Sequence, residues 1–344
     1  MKLRILSLLL AVTALLSGCS APPAERATSQ YQATFLTLFD TVTTVVGYGE
    51  SEEEFHQRAQ AIHDSLLDYH RLFHIYEEYE GMANLKTVND NAGVAPVEVD
   101  ERIIRLLLDC RALYEQTGGR VNVAMGSVLR LWHDARERSV NDPQQAALPD
   151  GEALKRAGEH VGFDTVIIDE QASTVYLSDP EQRLDVGAIA KGWAVEQVCR
   201  EAPEGLLISV GGNVRATGPR PTDGSPWVVG VQHPDGAADE YLHTIYVSGG
   251  SVVSSGDYQR YFTVDGRRYH HIIDPDTLYP AERWRVVTIL CPDSGLADAL
   301  STALFTLPLE EGEALARRFG AEALWMDAAG ELHYTPGFEA QIRT

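Results

Sequence analysis

The chain has 344 residues, of which 44% are hydrophobic, so it is long enough to bury a large core in one or two domains. Its formal net charge of −22 at pH 7 gives a surface that repels nucleic acid and anionic lipid headgroups. This charge argues against a nucleic-acid-binding protein, and it makes a phosphate-bearing substrate hard to hold unless a metal ion or a local cation reverses the field.

The N-terminal residues have the organisation of a secretory signal. Lys2 and Arg4 precede an apolar run, 5–16, which is too short to span a bilayer comfortably, and the sequence LSGC ends at Cys19. This segment is similar to the lipobox of bacterial lipoproteins, which implies cleavage before Cys19 and lipidation of that residue. An ordinary signal peptide with an incidental cysteine is the alternative.

These features predict three regions. We expect a lipoprotein signal peptide at 1–18, a lipidated cysteine and flexible tether at 19–33, and one folded domain at 34–344. The protein is then expected outside the cytoplasm, anchored to a membrane by lipid.

Strand and helix patterns follow each other beyond this tether. The β-branched segment 35–48 predicts a strand, and Ser51 with Glu54 predicts a capping box that starts a long amphipathic helix ending near Phe73. A second helix is expected from Asp100 to the glycines at 118–119, and a short helix after Asp150.

The second half of the chain is rich in strands. We expect them at 165–170, 173–178, 206–211, 227–232, 241–248, 260–266 and 286–290, followed by a helix at 296–307. Strands joined by short turns, with helices grouped between them, predict an α+β fold with a largely antiparallel sheet.

Three cysteines remain beyond Cys19. Cys110, Cys199 and Cys291 are far apart in the sequence and form no C-x-x-C motif. We expect buried, inert thiols rather than a disulfide framework or a zinc site.

The stretch DVGAIAKGWA at 185–194 combines Asp185, several small residues and Lys191 ahead of an apolar helix. Small residues let a backbone approach a ligand closely, and a helix that begins near Ile189 would direct free N–H groups at an anion such as phosphate. The order is not that of a P-loop, because Lys191 precedes Gly192, and the dinucleotide fingerprint is also absent. A glycine-rich turn with a solvated lysine explains this stretch equally well.

The stretch GLADALSTALFTL at 295–307 places Asp298 and Thr302 four residues apart, so they share one face of a helix. Carboxylate and hydroxyl oxygens are hard ligands that suit Mg²⁺. The alternative is a helix-start aspartate with a threonine that bonds back to its own backbone.

The stretch 254–280 contains two adjacent histidines, His270 and His271. On a strand they point to opposite faces, so only one of them can face a given site. No H-E-x-x-H motif and no nucleophile elbow occur in the sequence, which argues against hydrolases of those classes.

Taken in order, the segments DVGAIAKG, ISVGGNVRATG, SSGDYQRYF with HHIIDP, and DALSTALF resemble the ApbE family over roughly residues 35–335. Members of that family are FAD:protein FMN transferases and often lipoproteins. The resemblance implies a T-fold-related architecture and a Mg²⁺-dependent transfer of FMN from FAD to a threonine of an acceptor protein, with release of AMP. The implied acceptor is a membrane electron-transfer subunit. A Mg²⁺-dependent FAD pyrophosphatase and a non-catalytic FAD-binding lipoprotein are the alternatives.

The resemblance also implies residue roles. The metal ligands would be the Ala188 carbonyl, Asp298 and Thr302, and the catalytic residues would be His271 and Lys191. The residues implied to contact FAD are Asp185, Lys191, His271, Asn122 and Thr41.

The sequence departs from the family pattern where the flavin would bind. Asp276 and Leu278 stand in place of an arginine and a glycine, and Asn122 and Ala124 in place of an aspartate and a threonine. The family's M-G-T is FDT at 39–41. The implied metal ligands are all present.

Overall fold

The computed structural model describes residues 28–237 and 239–343. The signal peptide, Cys19 and most of the predicted tether lie outside these residues. A strand begins at Ser29, so the prediction that the tether reaches residue 33 is wrong. Tyr31 stacks on Phe55 and Ala33 is 7% exposed, so this segment already belongs to the core.

The described part of the chain contains strands and helices in mixed order. The strands are β1 (Ser29–Leu38), β2 (Thr41–Gly49), β3 (Val97–Glu98), β4 (Val166–Asp169), β5 (Thr174–Leu177), β6 (Leu207–Val210), β7 (Asn213–Ala216), β8 (Trp227–Gln232), β9 (Tyr241–Val247), β10 (Gly250–Gly256), β11 (Tyr261–Val264), β12 (Arg267–His270), β13 (Trp284–Cys291), β14 (Glu322–Asp327) and β15 (Leu332–Tyr334). The helices are α1 (Glu52–Phe73), α2 (Leu85–Asp90), α3 (Glu101–Gln116), α4 (Gly126–Asn141), α5 (Gly151–Ala157), α6 (Ala190–Glu201), α7 (Ser294–Thr306), α8 (Leu309–Arg318) and α9 (Pro336–Glu339).

Eight strands form one sheet in the order β1-β2-β6-β7-β10-β13-β14-β15, and every neighbouring pair is antiparallel. Two hairpins, β8–β9 and β11–β12, and a three-stranded sheet, β3-β5-β4, lie outside it. The prediction of an α+β fold with a largely antiparallel sheet is therefore confirmed.

The two faces of the large sheet are covered differently. Helices α1, α6 and α7 pack on one face, where the main hydrophobic core lies. The β8–β9 hairpin covers the other face, around Trp227 and Val252. This leaves the N-terminal ends of α6 and α7 side by side above the sheet.

Most predicted helices begin where the sequence indicates. The Ser51 hydroxyl caps α1 by accepting the Glu54 N–H at 3.2 Å, and Asp100 and Asp150 cap α3 and α5. The Ser51 cap lacks the reciprocal bond from the Glu54 side chain, so the predicted capping box is only half formed. Cys110, Cys199 and Cys291 are free and buried, as expected.

The segment 35–48 was predicted as one strand, but the structure has two. The chain reverses at Phe39 and Asp40, which both have positive φ (52° and 53°). Aspartate tolerates this conformation better than most residues, whereas phenylalanine does not, so the apolar pattern concealed the turn. This turn lies beside the candidate site.

Among the residues that the structure describes, no helix is both long and apolar enough to cross a bilayer.

Candidate functional site

The centre of the candidate site is the contact between the first turn of α6 and helix α7. Gly192 has no side chain to separate them: a Cβ there would lie 2.2 Å from the Ser294 carbonyl oxygen and 2.5 Å from Asp298 Cβ. The close approach lets the Gly192 backbone N–H donate to Asp298 Oδ2 at 2.8 Å. Two segments 106 residues apart in the sequence are thus joined at the predicted metal ligand.

Asp298 is only 4% exposed, yet it lies among groups that favour a negative charge. Lys191 Nζ is 3.8 Å from Asp298 Oδ2. Burial raises the pKa of the Asp298 carboxyl, and the opposing effects of Lys191 and of the Gly192 N–H are smaller. A divalent cation would offset this cost of burial, because it favours the carboxylate form.

The Ala188 carbonyl lies one helical turn before Gly192. In a regular helix it would accept the Gly192 N–H, but that donor is used by Asp298, and the carbonyl accepts no backbone hydrogen bond from residues 28–237 or 239–343. Thr302 follows Asp298 by one turn of α7, and its hydroxyl forms no hydrogen bond within the described part of the chain. The predicted ligands therefore supply hard oxygen atoms that are free to coordinate, and they fit Mg²⁺.

Lys191 and the start of α6 form a cationic edge beside this carboxylate. Helix α6 has no side-chain cap at Ile189, but the N–H groups of its first turn are largely used within the protein: Gly192 donates to Asp298, and Ala190 and Trp193 donate to backbone carbonyls. The expected row of free N–H groups directed at an anion therefore stays a prediction. Lys191 Nζ also donates to the Gly187 carbonyl at 3.3 Å, which keeps the ammonium group near the turn.

Asp185 opens the same turn and accepts the Gly187 N–H at 2.8 Å. Burial raises the pKa of Asp185, while His133, Arg260 and Lys191 act in the opposite direction. Asp185 therefore faces the cations of the site across a partly dehydrated space.

His271 lies near the same cations, because the charges of Arg260 and Lys191 both act on its ring. Its backbone N–H donates to the Arg260 carbonyl at 3.1 Å, and its Nδ1 is 3.3 Å from the same oxygen. The ring is exposed at the rim, but partial desolvation in the crevice, followed by the charge of Arg260, lowers the pKa of His271 below its usual 6.5. The imidazole is accordingly neutral at pH 7 and has a lone pair for an incoming proton, although the lowered pKa also makes it a weak base.

His270, the adjacent histidine, is buried and its Nε2 lies 2.6 Å from the Ala281 carbonyl. The expectation that only one of the two histidines can face the site agrees with this arrangement.

Thr41 lies at the start of β2, next to the turn between β1 and β2. Gly211 donates its N–H to the Val42 carbonyl at 3.0 Å, and a Cβ on Gly211 would come within 2.7 Å of the Thr41 hydroxyl oxygen. Arg260 Nη2 reaches the Phe39 carbonyl at 3.5 Å. These contacts bring Thr41 to the same side of the molecule as His271.

Asn122 is held by its own turn. Its Oδ1 accepts the Ala124 N–H at 2.9 Å, and its Nδ2 donates to the Val161 carbonyl at 3.0 Å. The side chain therefore shapes the loop before Gly126, and its predicted contact with the flavin nucleotide stays a prediction.

The loop that departs from the family pattern keeps a glycine-like backbone. Leu278 stands where the family has glycine, and it adopts a positive φ of 61°. Its carbonyl accepts the Trp132 indole N–H at 2.9 Å. Asp276, in place of an arginine, pairs with Arg120. Leu278 therefore holds a strained backbone conformation that usually favours glycine.

A cavity of about 240 Å³ opens beside Asp185. Tyr76, which is 48% exposed, stacks on His133 with ring centroids 4.6 Å apart, and both residues line the cavity. An exposed aromatic pair next to a phosphate-type turn can hold a planar ring.

Sequence reasoning did not assign a role to three residues at this site: Tyr76, Arg260 and Gly192. Arg260 forms no salt bridge with a described carboxylate, so its guanidinium is available to an anion. Arg260 lies in the stretch SSGDYQRYF, and an arginine in so polar a turn is a signal that could have identified it as a candidate anion-binding residue. Tyr76 gave no such signal, because an aromatic residue after a helix is usually part of the core.

Comparisons with known proteins identify relatives in both sequence and structure. The profile of the ApbE family matches residues 39–325. The FAD:protein FMN transferase of Treponema pallidum is 36% identical over 277 residues, covering 75% of each chain, and one from Klebsiella pneumoniae is 33% identical, covering 77% of this chain and 83% of that protein. The crystal structure of the ApbE protein from Thermotoga maritima superimposes with a TM-score of 0.80 at 30% identity, covering 92% of this chain and all of that one.

Proposed function

The chain belongs to the ApbE family, and on that premise we propose that it transfers the FMN moiety of FAD to a threonine hydroxyl of an acceptor protein and releases AMP. The observation that carries this proposal is the Gly192–Asp298–Lys191 contact, which places a buried carboxylate and a cation together at one helix start. Relatives that are named FAD:protein FMN transferases support the choice of reaction.

We propose that Asp298, Thr302 and the Ala188 carbonyl hold a Mg²⁺ ion. When bound, the ion would act as a Lewis acid that neutralises negative charge on the pyrophosphate and on the departing AMP. The support is the chemistry of the donor set: one buried carboxylate, one hydroxyl without a partner and one carbonyl free of backbone hydrogen bonds.

In the proposed transfer, different residues bind the phosphates and accept the proton. Lys191 and Arg260 would bind the non-bridging phosphate oxygens and fix the pyrophosphate in line with the entering hydroxyl. The threonine oxygen bonds to the FMN phosphorus, and the bond from that phosphorus to the bridging oxygen breaks, so AMP leaves with this oxygen. His271, which is neutral at pH 7, accepts the hydroxyl proton.

We propose that the flavin ring of FAD occupies the cavity beside Asp185. Tyr76 and His133 offer a stacked aromatic surface there, and the polar rim leaves one edge of a bound ring in contact with water. We therefore assign Tyr76 to FAD binding rather than to chemistry.

The decisive experiment incubates the full chain with FAD, Mg²⁺ and candidate membrane electron-transfer subunits, followed by peptide mass spectrometry. We expect a threonine heavier by one FMN and an equal amount of AMP. The matched control is the Asp298→Ala variant, which should form no adduct. An adduct formed by this variant at the wild-type rate would contradict the metal assignment.

A second function, hydrolysis of FAD to FMN and AMP, uses the same groups. His271 is at an exposed rim, so water can reach the position of the acceptor hydroxyl. Free FMN produced from FAD and Mg²⁺ without an acceptor would favour the pyrophosphatase. Tight FAD binding with no AMP release under either condition would favour a non-catalytic FAD-binding lipoprotein.

We also propose that Cys19 carries lipid and anchors the protein outside the cytoplasm. The sequence LSGC after a charged and apolar segment supports this. Intact mass measurement of the purified protein tests it: the Cys19→Ala variant should lose both the lipid mass and the association with membranes.

A further inference from the structure

Two polar side chains lie buried in one row of the large sheet, that is, among residues that pair with each other across neighbouring strands. Neither has a hydrogen-bond partner among the described residues. Thr43 on β2 and Asn213 on β7 both pair with Val210 on the strand between them. Thr43 is fully buried and Asn213 is 2% exposed, and neither Thr43 Oγ1 nor Asn213 Nδ2 finds a partner in the described part of the chain.

The row lies on the sheet face that carries α7. Two anchors fix the position of this helix over β10. At its start, the Ser294 N–H donates to Glu196 Oε2 at 2.9 Å, and the same oxygen accepts from Arg215, which pairs with Ser251. The beginning of α7 therefore lies near the row of Ser251.

The second anchor lies two turns further along α7. Ser301 Oγ is 2.7 Å from Ser255 Oγ on β10. Since α7 runs from the row of Ser251 to the row of Ser255, its residue Asp298 lies over the row between them. That row joins Val253 to Asn213.

Asn213 is thus the polar side chain of the sheet that faces Asp298 from below. Asp298 Oδ2 already accepts from Gly192 at 2.8 Å. A carboxylate offers about four lone-pair positions, so the bond from Gly192 leaves positions for the Asn213 amide and for a metal ion.

We propose that Asn213 is a positioning residue for the metal site, whose side-chain N–H holds the Asp298 carboxylate so that one oxygen faces the Ala188 carbonyl. This inference rests on the proposed function of Asp298 as a metal ligand. Its role resembles that of groups that orient metal ligands without touching the ion.

Packing alone does not explain an asparagine at this position. Its row neighbours Val210 and Val253 are apolar and buried, so a leucine-sized apolar side chain would suit the surroundings. A buried amide N–H without a partner costs about 1–3 kcal/mol. The Asn213 amide would recover this cost if the Asp298 carboxylate accepts its N–H when that carboxylate is oriented for a metal ion.

The test compares Asn213→Leu with Thr43→Val. Both variants replace a buried polar group of the same sheet row by an apolar side chain of similar size, and only Asn213 faces Asp298. Mn²⁺ is titrated into each full-length protein, with and without FAD, and binding is followed by electron paramagnetic resonance of the free ion.

For Asn213→Leu we expect Mn²⁺ affinity to fall by about 10–100-fold, while Thr43→Val binds like the wild type. In turnover assays the apparent KM for Mg²⁺ should rise by a similar factor, with kcat at saturating Mg²⁺ reduced less. If Asn213→Leu does not fold, as judged by circular dichroism, Asn213→Ala replaces it with the same expected result.

The outcomes separate this inference from the proposed function. Equal Mn²⁺ affinity of the wild type and the Asn213 variants overturns the positioning role while the metal site stands. An equal loss in Thr43→Val also overturns it, since the effect would then be general to the row. A wild-type protein that binds no Mn²⁺ under either condition overturns the metal site itself, and the positioning role with it.

Discussion

Replacement of Gly192 by alanine tests whether the contact between α6 and α7 holds the site together. The new Cβ would lie 2.2 Å from the Ser294 carbonyl oxygen, and ordinary contacts begin at 3.4 Å, so the two helices must separate by about 1.2 Å. Such a shift lengthens the 2.8 Å bond from the Gly192 N–H to Asp298 by a similar amount, which breaks it.

The energies can be compared. Overpacking costs about 1–3 kcal/mol, and loss of a hydrogen bond to a charged group costs about 1.5–3 kcal/mol. Alanine in place of glycine within a helix returns about 1 kcal/mol. We therefore expect a net loss of roughly 2 kcal/mol or more in the free energy of unfolding, together with loss of FMN transfer.

Chemical denaturation and the transfer assay measure both effects, and Gly312→Ala is the matched control. Gly312 lies inside α8, where an added Cβ would come nearest to the Trp325 side chain, at 3.2 Å. This control needs a shift of only about 0.2 Å to reach an ordinary contact of 3.4 Å, so it should lose much less stability than Gly192→Ala and remain fully active. If Gly192→Ala behaves like Gly312→Ala, the close helix contact is not what orients Asp298, and the reasoning fails.

Three further changes probe individual groups. In metal-free protein, Asp298→Asn should melt at a higher temperature than the wild type at pH 7. Burial raises the pKa of this carboxyl, so the wild type loses stability as pH rises through that pKa, and the difference between the two proteins should vanish in acid. The variant should lose transfer activity by about 100-fold or more. For His271→Gln we expect the rate of transfer to fall about 100-fold or more with FAD binding retained. The lowered pKa of His271 also predicts that the stability of the wild type falls as pH drops below 6.5, and the variant should lack this part of the pH dependence. Tyr76→Ala should raise the KM for FAD by about tenfold, as expected for a lost stacking contact, whereas Tyr246→Ala, a 40% exposed tyrosine on β9, should leave it unchanged.

Each of these three predictions has an outcome that would contradict it. A lower melting temperature for Asp298→Asn in metal-free buffer would show that the carboxylate is stabilised by its neighbours without an ion. Normal turnover of His271→Gln would assign proton transfer to another group. An unchanged KM in Tyr76→Ala would place the flavin ring outside the cavity.

The sequence by itself determined the local parts of the site. Four-residue spacing placed Asp298 and Thr302 on one helix face, and small residues after Asp185 indicated a helix start near Ile189, where α6 begins. Short-range rules of periodicity and capping govern these features, so the amino-acid sequence is sufficient to predict them. The same rules missed the turn at Phe39 and Asp40, because its signal is one aspartate within an apolar run.

Only the tertiary structure decided which of these parts meet. The bond from Gly192 to Asp298, the reach of Arg260 to Phe39 and the place of Asn213 beneath α7 each join segments far apart in the chain. Such contacts follow from the strand order of the sheet and from how closely two helices can pack. Those are properties of the whole fold, and no local window of sequence contains them.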